Sequence, residues 1–230
     1  MTEAEKQQSL PRIVSPQEWL AARREFLVRE KEFTRARDAL NAQRRELPMV
    51  AVEKDYVFEG PDGDVGLLDL FEGRRQLIVH HVMFDPSWDE GCSSCRFQIR
   101  DLGHLPHLHE RGTSLALVSR APYAKIQRYK ERMGWSVPYF SSYGSHFNYD
   151  FHATLDESKQ PLLINFRTKE EHEEAVGPWD VWGHELPAVS VFLSEGDTIY
   201  HTYSSFSRGL DILLFTLNYL DLTPLGRDGG

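Results

Sequence analysis

The apolar positions of the first 47 residues recur with a helical period. Trp19, Phe26, Phe33, Leu40 and Leu47 fall every seven residues, with Ala22 and Ala36 between them. Ser15 and Pro16 suit a first turn and Pro48 an end, so the pattern predicts one long helix over 16–46. At about 1.5 Å per residue it would run roughly 45 Å, longer than the core of a small domain covers. Such a helix either lies across its own domain or lends its apolar stripe to a second subunit. From Val50 the texture shortens to strands, turns and brief helices. Gln76 to Phe84 (QLIVHHVMF) is apolar on both faces, as a central strand of a parallel or mixed sheet would be. Tyr56 to Phe58 and Ser114 to Ser119 read as strands, Pro122 to Trp135 as an amphipathic helix, and Val137 to Phe140 as a third core strand. Breaks are expected near Gly103 and Pro106. Residues 141–187 are weakly periodic and aromatic, in the manner of an insertion. Val189 to Leu193, a Glu195-Gly196-Asp197 turn and Thr198 to Tyr203 predict a hairpin, followed by a helix over about Phe206 to Tyr219. Strand–helix–strand–helix–strand–hairpin is an α/β order, with helices on both sheet faces. The division expected is a helical arm over 1–48 and a domain over 49–230.

Composition narrows the class. The chain has 230 residues, with 40% hydrophobic and 27% charged side chains. This is globular composition for one core. Residues 47–230 hold 16 basic against 27 acidic side chains, and so acidic a body repels phosphate backbones, which argues against nucleic acid as a partner. The polar start, Met1-Thr-Glu-Ala-Glu-Lys-Gln-Gln, lacks the apolar stretch of a secretory signal, and no apolar run reaches the 18 to 20 residues or so of a membrane span. With only two cysteines the expectation is a soluble, cytoplasmic protein without a disulfide scaffold.

Both cysteines lie in Gly91-Cys92-Ser93-Ser94-Cys95, after the predicted central strand and at the start of a helix. There the first thiol meets unpaired backbone N–H groups and the positive end of the helix dipole, which stabilise a thiolate. Cys92 would attack a disulfide and Cys95, one turn further on, would resolve it. Asp85, Asp89 and Glu90 in the preceding loop oppose this, because negative charge raises a thiol's pKa. A metal site and an inert pair are the other readings of the two cysteines.

The run Phe84-Asp-Pro-Ser-Trp-Asp-Glu-Gly-Cys-Ser-Ser-Cys95 resembles bacterial thioredoxin-like proteins grouped as domain of unknown function 899. So do Val118-Ser-Arg-Ala-Pro122, Met133-Gly-Trp135, Ser141-Ser-Tyr-Gly144, Phe147-Asn-Tyr-Asp-Phe151 and Asn218-Tyr-Leu-Asp-Leu-Thr-Pro224. The resemblance covers nearly all of the chain from about residue 16. It implies a thioredoxin-like, peroxiredoxin-like mixed sheet with the cysteines at the top of the first helix of the domain. It also makes Pro187 the candidate for a cis-proline facing them. The leading reading is a thiol–disulfide oxidoreductase that needs no cofactor and acts on small-molecule or protein thiols. Cys92, Cys95, Pro187 and Asp89 are its expected site, and a homodimer through the long helix its expected assembly.

Two relatives of that fold suggest alternatives. Copper-delivering proteins use two cysteines and a later histidine, which here would be Cys92, Cys95 and His184 binding copper or zinc, though with one residue fewer between the thiols. Peroxiredoxins carry a proline and a hydroxyl residue before the reactive cysteine. Pro86 fits that pattern and Arg120 supplies charge, but Asp89 stands where the hydroxyl belongs. Among the histidines, His104, His107 and His109 read as surface or interhelix residues rather than a zinc finger. His80 and His81 sit on the central strand facing opposite ways, each more readily a core residue than an aid to Cys92. His146 and His152 are candidates to line a pocket. Trp88, Trp135, Tyr139, Tyr143 and Phe147 are candidates for an apolar wall over the cysteines, and more readily ordinary core.

Overall fold

The computed structural model describes residues 10–102 and 104–228. Gly103, the expected helix break, lies outside them, as do the polar N-terminal residues 1–9. Helix α1 spans Pro16–Arg44 and begins with a capping box, in which Ser15 accepts from the Glu18 N–H and Glu18 accepts in return from the Ser15 N–H. In chain order there follow β1 (Val50–Ala51), β2 (Val57–Gly60), β3 (Gly63–Gly66), β4 (Gln76–His81), α2 (Ser93–Arg100), α3 (Leu105–His109) and β5 (Thr113–Ser119). Next come α4 (Tyr123–Met133), β6 (Tyr139–Ser141), α5 (Phe147–Asp150), β7 (Leu163–Ile164), β8 (Arg167–Thr168) and α6 (Lys169–Ala175). Strands β9 (Ala188–Glu195) and β10 (Thr198–Phe206) precede α7 (Phe215–Leu220). The chain divides into two compact units, residues 49–214 and the described parts of 1–48 with 215–230.

In the larger unit eight strands form one mixed sheet, ordered β1-β10-β9-β4-β5-β6-β2-β3. β4, β5 and β6 are parallel, and β9 runs antiparallel to β4. A central strand with a parallel neighbour on one side, an antiparallel hairpin on the other, and the cysteines at the start of the following helix is the thioredoxin-like arrangement. β4 is central because its sequence tolerates burial on both faces. Leu77 and Val79 point into a cluster with Phe58, Phe71, Phe147 and Phe192, while the opposite face carries Leu115, Leu117, Cys95, Ile99 and Ile126 beneath α2 and α4.

Two elements differ from the sequence reading. The ladder of β4 stops at His81, and Val82 to Phe84 leave the strand to start the loop that carries the cysteines. The expected helix over 206–219 is three pieces: Phe206 ends β10, Ser207–Leu213 form a 3₁₀ segment, and α7 follows only after Leu214. The break has a local cause, since Leu214 is extended at φ −101° and ψ 97° so that its side chain is buried.

Candidate functional site

Gly91 brings the chain from the loop into the cysteine turn where no larger residue fits. A Cβ there would stand 2.9 Å from the ring of Tyr129 on α4. The Cys92 N–H donates to the Met83 carbonyl at 2.9 Å, which ties the turn to the end of the central strand. Lys125 of α4 clamps the loop by donating to the carbonyls of Pro86 and Trp88 at 2.8 and 2.9 Å. Cys92 is the N-cap of α2 and is half-buried, and Cys95, one turn in, is fully buried. Both are free thiols.

The two sulfurs are chemically unequal. The Cys95 S–H, acting as donor, does most to lower the Cys92 pKa to about 4, and partial burial opposes it. The Ser94 hydroxyl, 3.0 Å from the Cys92 sulfur, and the backbone N–H groups of Cys95 and Ser94 lower it further. Cys95 moves the opposite way: its bond to Cys92 and its burial raise its pKa, although the Met83 N–H reaches its sulfur at 3.4 Å. These effects favour ionisation at the half-buried Cys92 and oppose it at the buried Cys95.

Two of the three acidic side chains of the loop, Asp85 and Glu90, are held by arginines. Glu90 pairs with Arg132 at 2.6 Å. Asp89 lines a small pocket with Lys125, Arg128 and Arg132 on α4. Asp85 accepts from Arg120 and from the Ser87 hydroxyl and N–H. Burial pushes the Asp85 carboxyl up, and these bonds together carry it below its ordinary value.

Arg120, at the end of β5, is a hub that the sequence reading saw only in part. It pairs with Asp85 and Glu185 at 2.5 Å each and donates to the Tyr149 hydroxyl at 2.8 Å. Four of its five N–H groups are so engaged, and one on Nη1 is left over. Glu185 is 3% exposed, and burial raises its pKa against the pull of Arg120 and of the Thr154 hydroxyl, which donates at 3.0 Å. Its charge is felt at Cys95. Nothing in the local sequence marks Glu185; only the isolated bridge between Thr154 and Glu185 brings it under the cysteine loop.

Pro187 stands just before Ala188, which pairs with His81 at the end of the central strand. Pro187 was expected to follow a cis bond, but among the described residues no peptide bond is cis, so Leu186–Pro187 is trans. The segment is held extended by Leu186 N–H donating to the Ala153 carbonyl and by the Pro187 carbonyl accepting from Ser207 N–H, at 2.8 and 3.0 Å. This geometry uses the isomer that X-Pro bonds ordinarily favour. His184 packs on Trp179 and holds the Leu155 carbonyl at 3.2 Å, in a cleft of about 400 Å³ shared with Asp85 and Arg120. Among the described residues no three His, Cys, Asp or Glu side chains stand together as a metal site, so His184 does not complete one with the thiols.

His80 and His81 do face opposite ways. His80 bonds Gln98 of α2 at 3.0 Å, on the cysteine side, and His81 bonds Ser190 at 3.0 Å and stacks on Phe147 on the other. The aromatic wall divides accordingly. Trp88, Trp135 and Tyr139 belong to the cysteine-side core, Phe147 is buried across the sheet, and Tyr143 is exposed. His146 lines a cleft of about 320 Å³ beside Arg120, and His152 lines another next to Gln160. The rings of His104 and His107 lie tilted against each other, 5.0 Å between centres, around the start of α3.

No helix among the described residues is long and apolar enough to cross a membrane. No curated protein matches the chain in sequence. Among solved structures, peroxiredoxin Q of Xanthomonas campestris is similar at a TM-score of 0.46 and 11% identity, over 74% of this chain and 91% of that one. Peroxidoxin BcpB of Mycobacterium tuberculosis is similar at a TM-score of 0.46 and 12% identity, over 76% and 97%. The fold assignment rests on the strand order rather than on these distant likenesses. In sequence, residues 8–230 match the model of one protein family, and the chain belongs to it: the family described as "Bacterial protein of unknown function (DUF899)".

Proposed function

We propose that the protein is a thiol–disulfide oxidoreductase with Cys92 as nucleophile and Cys95 as resolving thiol. One observation carries this reading: Cys92 stands half-buried at the N-cap position of α2 with Cys95 buried one turn further in, an arrangement that lowers the pKa of the first thiol and raises that of the second. The Cys92 thiolate attacks one sulfur of an incoming disulfide, forms a mixed disulfide and expels the other half as a thiolate. Cys95 then loses its proton and attacks the Cys92 sulfur, releasing the second half as a thiolate and closing the Cys92–Cys95 disulfide. Two electrons pass to the substrate, and an external dithiol restores the pair. A low pKa at the attacking sulfur keeps it ionised, and a high pKa at the resolving sulfur delays attack until the mixed disulfide exists.

Turnover of a small aromatic disulfide with dithiothreitol as reductant tests the reading. The intact protein is expected to accelerate the reaction and Cys92→Ser to abolish the acceleration. Equal rates for the two would refute it.

A further inference from the structure

We propose that α1 is an association surface and that its occupant is α1 of a second copy, lying parallel to it. The helix is 29 residues long and buries none of them. Trp19, Phe26, Phe33 and Leu40 are 59%, 54%, 68% and 55% exposed. A seven-residue recurrence is the period at which two helices keep one seam in contact along their length. Ala22 and Ala36, three residues beyond a ring, leave room for the ring of a neighbouring helix. Arg29 and Gln43 take the other two inner positions, where polar ends lower stability and restrict register.

Charge complementarity decides the occupant and its direction. The residues before the seam positions are Glu18, Glu25, Glu32 and Glu46, and those four after them are Arg23, Glu30, Arg37 and Arg44. In a parallel pair each residue of the first edge faces the residue five positions later on the partner helix. Glu18 then meets the position of Arg23 and Glu32 that of Arg37, both attractive. Glu25 meets the position of Glu30, a like pair that opposes the other two; within the helix Arg23 binds Glu30 at 2.7 Å. An antiparallel pair would instead set the acidic edges against each other, as Glu25 opposite Glu32. The paired rings and leucines cover on the order of 1,000 Å², about the lower limit of a specific interface.

Sedimentation of the full-length protein at micromolar concentration is expected to give twice 26.6 kDa, and Phe26→Glu with Phe33→Glu to give the single mass. Arg37→Glu, which removes no apolar group, should weaken association about tenfold. In a Cys92→Ser, Cys95→Ser background, Ala22→Cys should cross-link to its own copy on oxidation, as a parallel seam requires. A single-mass wild type, or a dimer that survives both seam and charge variants, overturns the proposal. A dimer that Ala22→Cys does not cross-link overturns the parallel order. Alkylation of Cys92 in the seam variants is expected to match wild type, so failure of this proposal is distinguishable from failure of the thiol chemistry.

Discussion

Replacing Cys95 by alanine isolates the interaction that matters most to the Cys92 thiolate. The largest influence lowering the Cys92 pKa is the Cys95 thiol acting as donor, ahead of Ser94 and the backbone N–H groups. A hydrogen bond to a charged group contributes about 1.5–3 kcal/mol, and about 1.4 kcal/mol moves an ionisation midpoint by one pH unit. Cys92 is only half-buried, so water replaces part of the lost donor and the lower end of that range applies. The midpoint for Cys92 in Cys95→Ala should therefore rise by about one pH unit. Cys95→Ser, which keeps a donor, should move it less. Iodoacetamide alkylation followed by peptide mass mapping, at a series of pH values, reads the Cys92 midpoint directly. In wild type it should lie near 4. A wild-type profile that rises only near pH 8 to 9, the range of an unperturbed thiol, would refute the reasoning. So would a Cys95→Ala profile that superimposes on wild type.

Arg120→Met should destabilise the protein by about 3 kcal/mol in urea unfolding, because the buried Glu185 and the partly buried Asp85 lose their shared cation. Adding Glu185→Gln should recover part of that, and a loss under 1 kcal/mol would mark the network as surface-like. Gly91→Ala should lower stability by about 1–3 kcal/mol and slow Cys92 alkylation, since the new methyl meets Tyr129; unfolding curves matching wild type would contradict the close approach. For the buried histidines the sign follows from which state binds the proton. Burial, then the nearby His80, hold His81 down to about 3, so below about pH 6.5 the unfolded chain takes up a proton that the native one refuses. Stability should fall with pH across that window by up to about 1.4 kcal/mol per pH unit for this residue, and His81→Gln should flatten the slope of urea midpoint against pH.

Much of this was legible in the residues because it depends on local pattern. Ser15, Pro16 and the seven-residue stripe mark α1, the doubly apolar QLIVHH marks the central strand, and Glu195-Gly196-Asp197 marks the turn between β9 and β10. Cys92 falls at the N-cap of α2 because a helix can begin as soon as the chain clears Gly91. What escaped depends on convergence. Asp85, Arg120 and Glu185 meet although the first and last stand 100 positions apart, and none carries a local signature. The charge of Glu90 read as a threat to the thiolate, but Arg132 of α4 pairs with it, and Asp89 shares a small pocket with Lys125, Arg128 and Arg132. Phe147 and Trp88 were candidates for one aromatic wall and more readily ordinary core, and they belong to the core on opposite faces of the sheet.

The most direct measurement is equilibration of the purified protein in a glutathione redox buffer, followed by acid quenching and mass analysis of the peptide holding both cysteines. A reversible Cys92–Cys95 disulfide, replaced in Cys95→Ser by a mixed disulfide on Cys92, is the predicted result. Two thiols that stay reduced across the whole range, or adducts that collect on Cys95 instead, would contradict it.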